Sequence, residues 1–116
     1  MMHTAYIGLG SNLDQPIAQI MKALRALDNL PNSFLLSYSS IYSSDPMGDV
    51  QQEPYVNAVA KLSTQYSPIE LLDQLQAIEQ NQARVRIERW GPRTIDLDLL
   101  LFDHTIMTSE RLTIPH

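Results

Sequence analysis

Ser67-Pro68-Ile69-Glu70, followed by Leu71, Leu72, Leu75 and Ile78, is the stretch on which the reading of this chain turns. Serine three residues ahead of glutamate, with proline at the first helical position, is a capping box. Hydroxyl and carboxylate each satisfy a backbone donor that the first helical turn leaves unpaired. The helix it opens runs from 68 to about 82, with its apolar residues at helical spacing. Residues 55–62 upstream and 95–102 downstream are both β-favouring, so a strand precedes this helix and another follows it.

Farther upstream the order repeats. Residues 4–9 read as a short buried strand, which Gly8, Gly10, Ser11 and Asn12 break into a loop. Asp14 and Pro16 mark a second helix start, and Ile17, Ile20, Met21, Leu24 and Leu27 keep helical spacing to about Leu30, giving a helix over 14–30. Pro31 and Asn32 end it, and residues 34–42 return to strand composition. The order βαββαβ predicts an α+β sandwich of ferredoxin-like type: a four-stranded antiparallel sheet with both helices on one face. Strand 95–102 carries aliphatic residues on both faces, which predicts a central place in the sheet. Between two strands lies a polar segment, 43–54, holding Pro46, Gly48 and Asp49; a loop of that length is a candidate for function.

At 116 residues, 44% hydrophobic, the chain reads as a single domain over 1–116. Its net charge of -5 argues against a nucleic-acid partner, which normally meets a basic domain. Cysteine is absent, excluding disulfides, thiolate catalysis and cysteine-ligated zinc. The N-terminus has no basic start followed by a long apolar stretch, and no segment approaches a membrane span, so a cytoplasmic protein without a membrane partner is expected.

Chemistry concentrates in residues 84–101, R-V-R-I-E-R-W-G-P-R-T-I-D-L-D-L-L-L. Of eight Lys plus Arg, four are Arg84, Arg86, Arg89 and Arg93, a local focus of positive charge suited to a small polyanion. Asp96 and Asp98 flank Leu97, and on a strand the period of two points both carboxylates the same way. Two hard oxygen donors suit Mg²⁺, which is commonly held by one or two carboxylates together with substrate phosphates. Guanidinium groups grip phosphate oxygens directly, whereas carboxylates meet a polyphosphate only through a cation. Outside this setting the two aspartates would read as strand-end carboxylates facing water.

R-W-G-P-R-T-I-D-L-D-L-L, from Arg89 to Leu100, resembles the signature of the 6-hydroxymethyl-7,8-dihydropterin pyrophosphokinase family, and Y-I-G-L-G-S-N near the start and E-R-L-T-I-P-H at the end support the likeness. The resemblance implies an enzyme of folate biosynthesis that moves the β,γ-diphosphate of ATP to the pterin hydroxymethyl oxygen and releases AMP, most simply as a monomer. It implies two Mg²⁺ ions on Asp96 and Asp98, with Arg84 and Arg93 handling phosphate. Gln76, Arg86, Arg111, Thr113 and His116 fall at nucleotide-side positions, with Leu99 offering its backbone to adenine. Ser44, Asp45, Met47, Tyr55, Asn57 and Trp90 fall on the pterin side. Where the family usually has Thr-Pro, this chain has Ser44-Asp45, keeping a hydroxyl and losing the rigid ring. Family members continue for several dozen residues beyond the position of His116, a segment that brings an arginine and a pterin-stacking phenylalanine. Segments 43–54 and 84–92 are expected to close over bound substrates. Two rivals are a different two-metal nucleotidyl-transferring or cyclising enzyme of the same architecture, and a shortened nucleotide-binding module without efficient catalysis.

Overall fold

Strand β4 (Tyr55–Thr64) alternates without a break, burying Val56, Ala58, Ala60, Leu62 and Thr64 and leaving the residues between them half-covered. A sheet covered on one face only produces that pattern. The computed structural model describes residues 1–12, 15–44, 55–83 and 95–116. On one side β4 pairs with β1 (His3–Ser11), and on the other with β2 (Ser33–Tyr38) and β3 (Tyr42–Ser44); β5 (Asp96–Phe102) lies beyond β1. Every pairing is antiparallel.

Register puts Ala5 opposite Leu62, Ile7 opposite Ala60 and Leu9 opposite Ala58, while Leu97 and Leu99 of β5 face Leu9 and Ile7. These residues therefore share one face. Helix α1 (Pro16–Asp28) buries Ile20, Ala23, Leu24 and Leu27, and α2 (Pro68–Ala83) buries Leu71, Leu72, Leu75 and Ile78, in one cluster with those strand residues. The α+β sandwich expected from the element order is what forms, with both helices on the same face of the antiparallel sheet.

Four details differ from the sequence expectation. Strand β1 continues through Gly8 and Gly10 to Ser11, where a loop is expected, because both glycines stay paired with β4 and β5. Strand β5 is at the edge of the sheet, not its centre. Its aliphatic residues occupy both faces because the register slips opposite Tyr6 and Ile7 and because Leu100 packs over the bare Gly8 backbone, where an added Cβ would meet its side chain at 3.4 Å. The expected strand over 34–42 is two strands, interrupted at Ser39. There the serine hydroxyl accepts the Val59 N–H at 2.9 Å, a side-chain bond standing in for the ladder, while the Ser39 N–H donates to the Val59 carbonyl. Helix α1 stops at Asp28, where the Asn29 side chain donates to the Arg25 carbonyl at 2.8 Å and closes the last turn. A further two-stranded ribbon, β6 (Met107–Thr108) with β7 (Thr113–Ile114), seats Leu112 and Ile114 in the core.

The capping box forms as read. Glu70 accepts the Ser67 N–H at 2.9 Å, and Ser67 Oγ accepts the Glu70 N–H at 3.2 Å. The backbone donor from Ser67, then its side chain, hold the Glu70 carboxyl below its ordinary range. Ser67→Ala is expected to cost about 1 kcal/mol of stability, read by chemical denaturation. Because the Glu70 pKa is lowered on folding, its contribution is present above the ordinary carboxyl range and fades as pH falls through the folded value. A variant as stable as the parent at neutral pH would contradict the assignment.

Candidate active site

Antiparallel pairing sets Asp96 opposite Gly10 and Asp98 opposite Gly8. Leu97 and Leu99 point to the helices, so the two carboxylates stand on the uncovered face, as their spacing predicts. Neither glycine offers a side chain to crowd them. Tyr55, at the start of β4, lays its ring across Gly10: a Cβ at Gly10 would overlap the phenol oxygen and stand 2.5 Å from Cε1. The Tyr55 hydroxyl donates to Asp96 Oδ2 at 2.9 Å. Burial first, then the hydrogen bond and the negative charges of Asp96 and Asp98, push the phenol up to about 12, so it remains a donor throughout the physiological range.

Two cavities meet at β5. One, of about 190 Å³ on the uncovered face, is lined by Gly8, Gly10, Tyr42, Tyr55, Asn57 and Asp98 among others. Tyr55 and Asn57 lie two apart on β4 and share that wall, giving an aromatic face beside an amide. The other cavity, of about 480 Å³, opens beyond the outer edge of β5 and is lined by Gln76, Leu99, Arg111, Thr113 and His116 together with Asp96 and Glu79. Asp98 lines both.

The larger cavity is lined by polar and charged side chains of both signs. Arg111 donates through Nη2 to Asp73 at 2.6 Å and to Gln76 Oε1 at 3.1 Å, and His116 Nε2 stands 3.9 Å from Asp98 Oδ1. Along its wall the Leu97 N–H points away from β1 and donates to Glu79 Oε2 at 2.8 Å. The period of two turns the Leu99 backbone to the same outer side, where a flat heterocycle could take its hydrogen bonds.

All five described residues assigned to the nucleotide thus share one cavity, and Tyr55 and Asn57 share the other. Ser44 pairs with Tyr55 across β3 and β4. Arg84, Arg86, Trp90, Arg93, Asp45 and Met47 lie outside the described residues, as does most of the two segments expected to close over substrates. Sequence reasoning passed over Glu79, which is buried although charged. The signal was there: Glu79 stands four residues after Leu75, on the apolar stripe of α2, where a carboxylate needs an internal donor. Gly8 and Gly10 read as serving a tight turn and close packing; the packing is found, under Leu100 and Tyr55, though local sequence does not say which side chains supply it.

The donor set fits magnesium. Asp96 and Asp98 present hard oxygens on one face beside a cavity large enough for a polyphosphate, and no group of three or more His, Cys, Asp or Glu able to hold a metal occurs among the described residues. A site of two carboxylates completed by phosphate and water matches the preferences of Mg²⁺ rather than those of zinc or calcium.

Comparison with known proteins agrees with this geometry. The family model for 7,8-dihydro-6-hydroxymethylpterin-pyrophosphokinase matches residues 6–116. A protein of Haemophilus influenzae named 2-amino-4-hydroxy-6-hydroxymethyldihydropteridine pyrophosphokinase is 56% identical over 115 residues, covering 99% of this chain and 72% of the relative. The Pseudomonas aeruginosa protein of the same name is 50% identical over 116 residues, covering 100% of this chain and 72% of that one. The Schizosaccharomyces pombe protein named folic acid synthesis protein fol1 is 40% identical over 112 residues, 97% of this chain but 15% of that much longer protein.

Proposed function

Because the chain belongs to the 7,8-dihydro-6-hydroxymethylpterin-pyrophosphokinase family, we propose that it transfers diphosphate from ATP to the hydroxymethyl group of 6-hydroxymethyl-7,8-dihydropterin, releasing AMP, as a step of folate biosynthesis. The observation that carries this reading is the pair of cavities sharing Asp98. One has the lining of a nucleotide site, the other that of a small heterocycle, and the shared carboxylate marks where the transferred group passes.

In this reading Gln76, Arg111, Thr113 and His116 hold the nucleotide, and the outward backbone of Leu99 meets the edge of adenine. Tyr55 stacks on the pterin while Asn57 offers an amide donor and acceptor to its polar edge. Ser44, Asp45, Met47 and Trp90 complete the pterin side, and Arg84, Arg86 and Arg93 the phosphate side, on the strength of the signature they belong to. Magnesium, as two ions on Asp96 and Asp98, would neutralise phosphate charge and make the attacking hydroxyl more acidic. The protein's own share is alignment: donors fixed on a sheet edge and an aromatic wall set the hydroxymethyl oxygen in line with the bond to be broken.

Both ligands are small molecules, and the reading includes a monomer with neither nucleic-acid nor membrane partner, acting in the cytoplasm where ATP is held. The net charge of -5 supports the first exclusion, and no helix among the described residues is long and apolar enough to cross a membrane. The test is product analysis with ATP, Mg²⁺ and the pterin: AMP and the pterin diphosphate are expected in equal amounts. Pyrophosphate as the released product would point to nucleotidyl transfer, and nucleotide binding with no pterin product to a binding module; either result overturns the proposal.

A further inference from the structure

Tyr55 reaches past a strand. Its own strand, β4, and the strand of Asp96, β5, both pair with β1 and are separated by it, yet the phenol meets the carboxylate at 2.9 Å. The crossing is possible because the β1 residue beneath the ring is Gly10, where a Cβ would overlap the hydroxyl and lie 2.5 Å from Cε1 and 2.8 Å from Cζ. Asp96 sits directly opposite that glycine.

We propose that Tyr55 is a positioning residue for Asp96: its hydroxyl fixes the carboxylate through Oδ2, so that Asp96 would be held ready for magnesium, while its ring serves as the wall for the heterocycle. The inference rests on the function proposed above and adds a task that stacking alone does not require, since a phenylalanine would stack as well. A ligating carboxylate is commonly held by such an outer partner, whose loss costs roughly 10- to 100-fold in metal affinity.

Tyr55→Phe separates the two tasks. The full chain and the variant are compared by calorimetry for pterin affinity without metal, and for the Mg²⁺ concentration that half-saturates binding of a non-hydrolysable ATP analogue. Pterin affinity is expected to stay within about twofold, while the magnesium requirement rises about tenfold and the loss is recovered at excess Mg²⁺. Gly10→Ala, which displaces the same ring with its hydroxyl intact, is expected to raise the magnesium requirement similarly and to weaken pterin binding too. An unchanged or lowered magnesium requirement in Tyr55→Phe overturns the proposal. A parent chain that binds neither the magnesium-nucleotide analogue nor the pterin instead overturns the functional reading beneath it.

Discussion

Asp98→Ala is expected to slow diphosphate transfer by at least about a hundredfold, equivalent to roughly 2.7 kcal/mol of barrier, without lowering the melting temperature. The two halves of that expectation have one cause. Asp98 lines both cavities, where the proposed function needs its charge, and about half of its side chain is exposed opposite Gly8, so the fold loses little when it is shortened. Asp98→Asn should be nearly as slow, because shape and polarity survive there but the anionic ligand does not. Initial rates of AMP release at saturating Mg²⁺, beside a thermal melt, make the measurement. Turnover near that of the parent, or a large drop in melting temperature, would remove Asp98 from the reaction.

Glu79→Ala is expected to do the reverse, losing stability first and turnover as a consequence. The buried Glu79 carboxylate accepts the outward N–H of Leu97, the residue between Asp96 and Asp98. Removing it leaves a buried donor without that acceptor, which typically costs about 1–3 kcal/mol. On a chain of this size the melting temperature should fall by about 3–10 °C. Glu79→Gln retains an oxygen that can accept the same N–H and should recover most of the loss. Denaturation curves for the three proteins decide it: an alanine variant as stable as the parent would mean that the bond to Leu97 carries no weight.

The features legible in the sequence were those that a local pattern writes down. Ser67 to Glu70 specifies a helix start in four residues, the β-favouring run from Tyr55 specifies a strand, and the Asp-Leu-Asp run specifies two carboxylates on one side. What escaped depends on a neighbour brought from far along the chain. The edge position of β5 was hidden because Leu100, over Gly8, gave the strand an apolar residue on each face, the signature of a central strand. The break at Ser39 depends on Val59, twenty positions on. The place of Glu79 on the apolar stripe of α2 is legible, but its donor, the Leu97 N–H, comes from 18 positions farther along. Strands β6 and β7, at two residues each, are too short to carry a period at all. The grouping of Gln76, Arg111, Thr113 and His116 came from the family likeness, since no spacing in the chain announces that a helix, a ribbon and a terminal residue meet.

The two ends of the sheet differ in how they would treat another copy of the chain. A sheet edge is a template on which further strands can add. Beyond β5 that template is partly occupied: Glu79 takes the Leu97 N–H, and the His116 N–H takes the Leu100 carbonyl at 3.0 Å. Strand β2 closes the opposite end of the path and carries Phe34, Leu36 and Tyr38 exposed, with a bulge near Leu36 that disturbs its flatness. Among the described residues, strand addition thus meets less obstruction at the β2 end, and a pair formed there between two copies would use up that end of both.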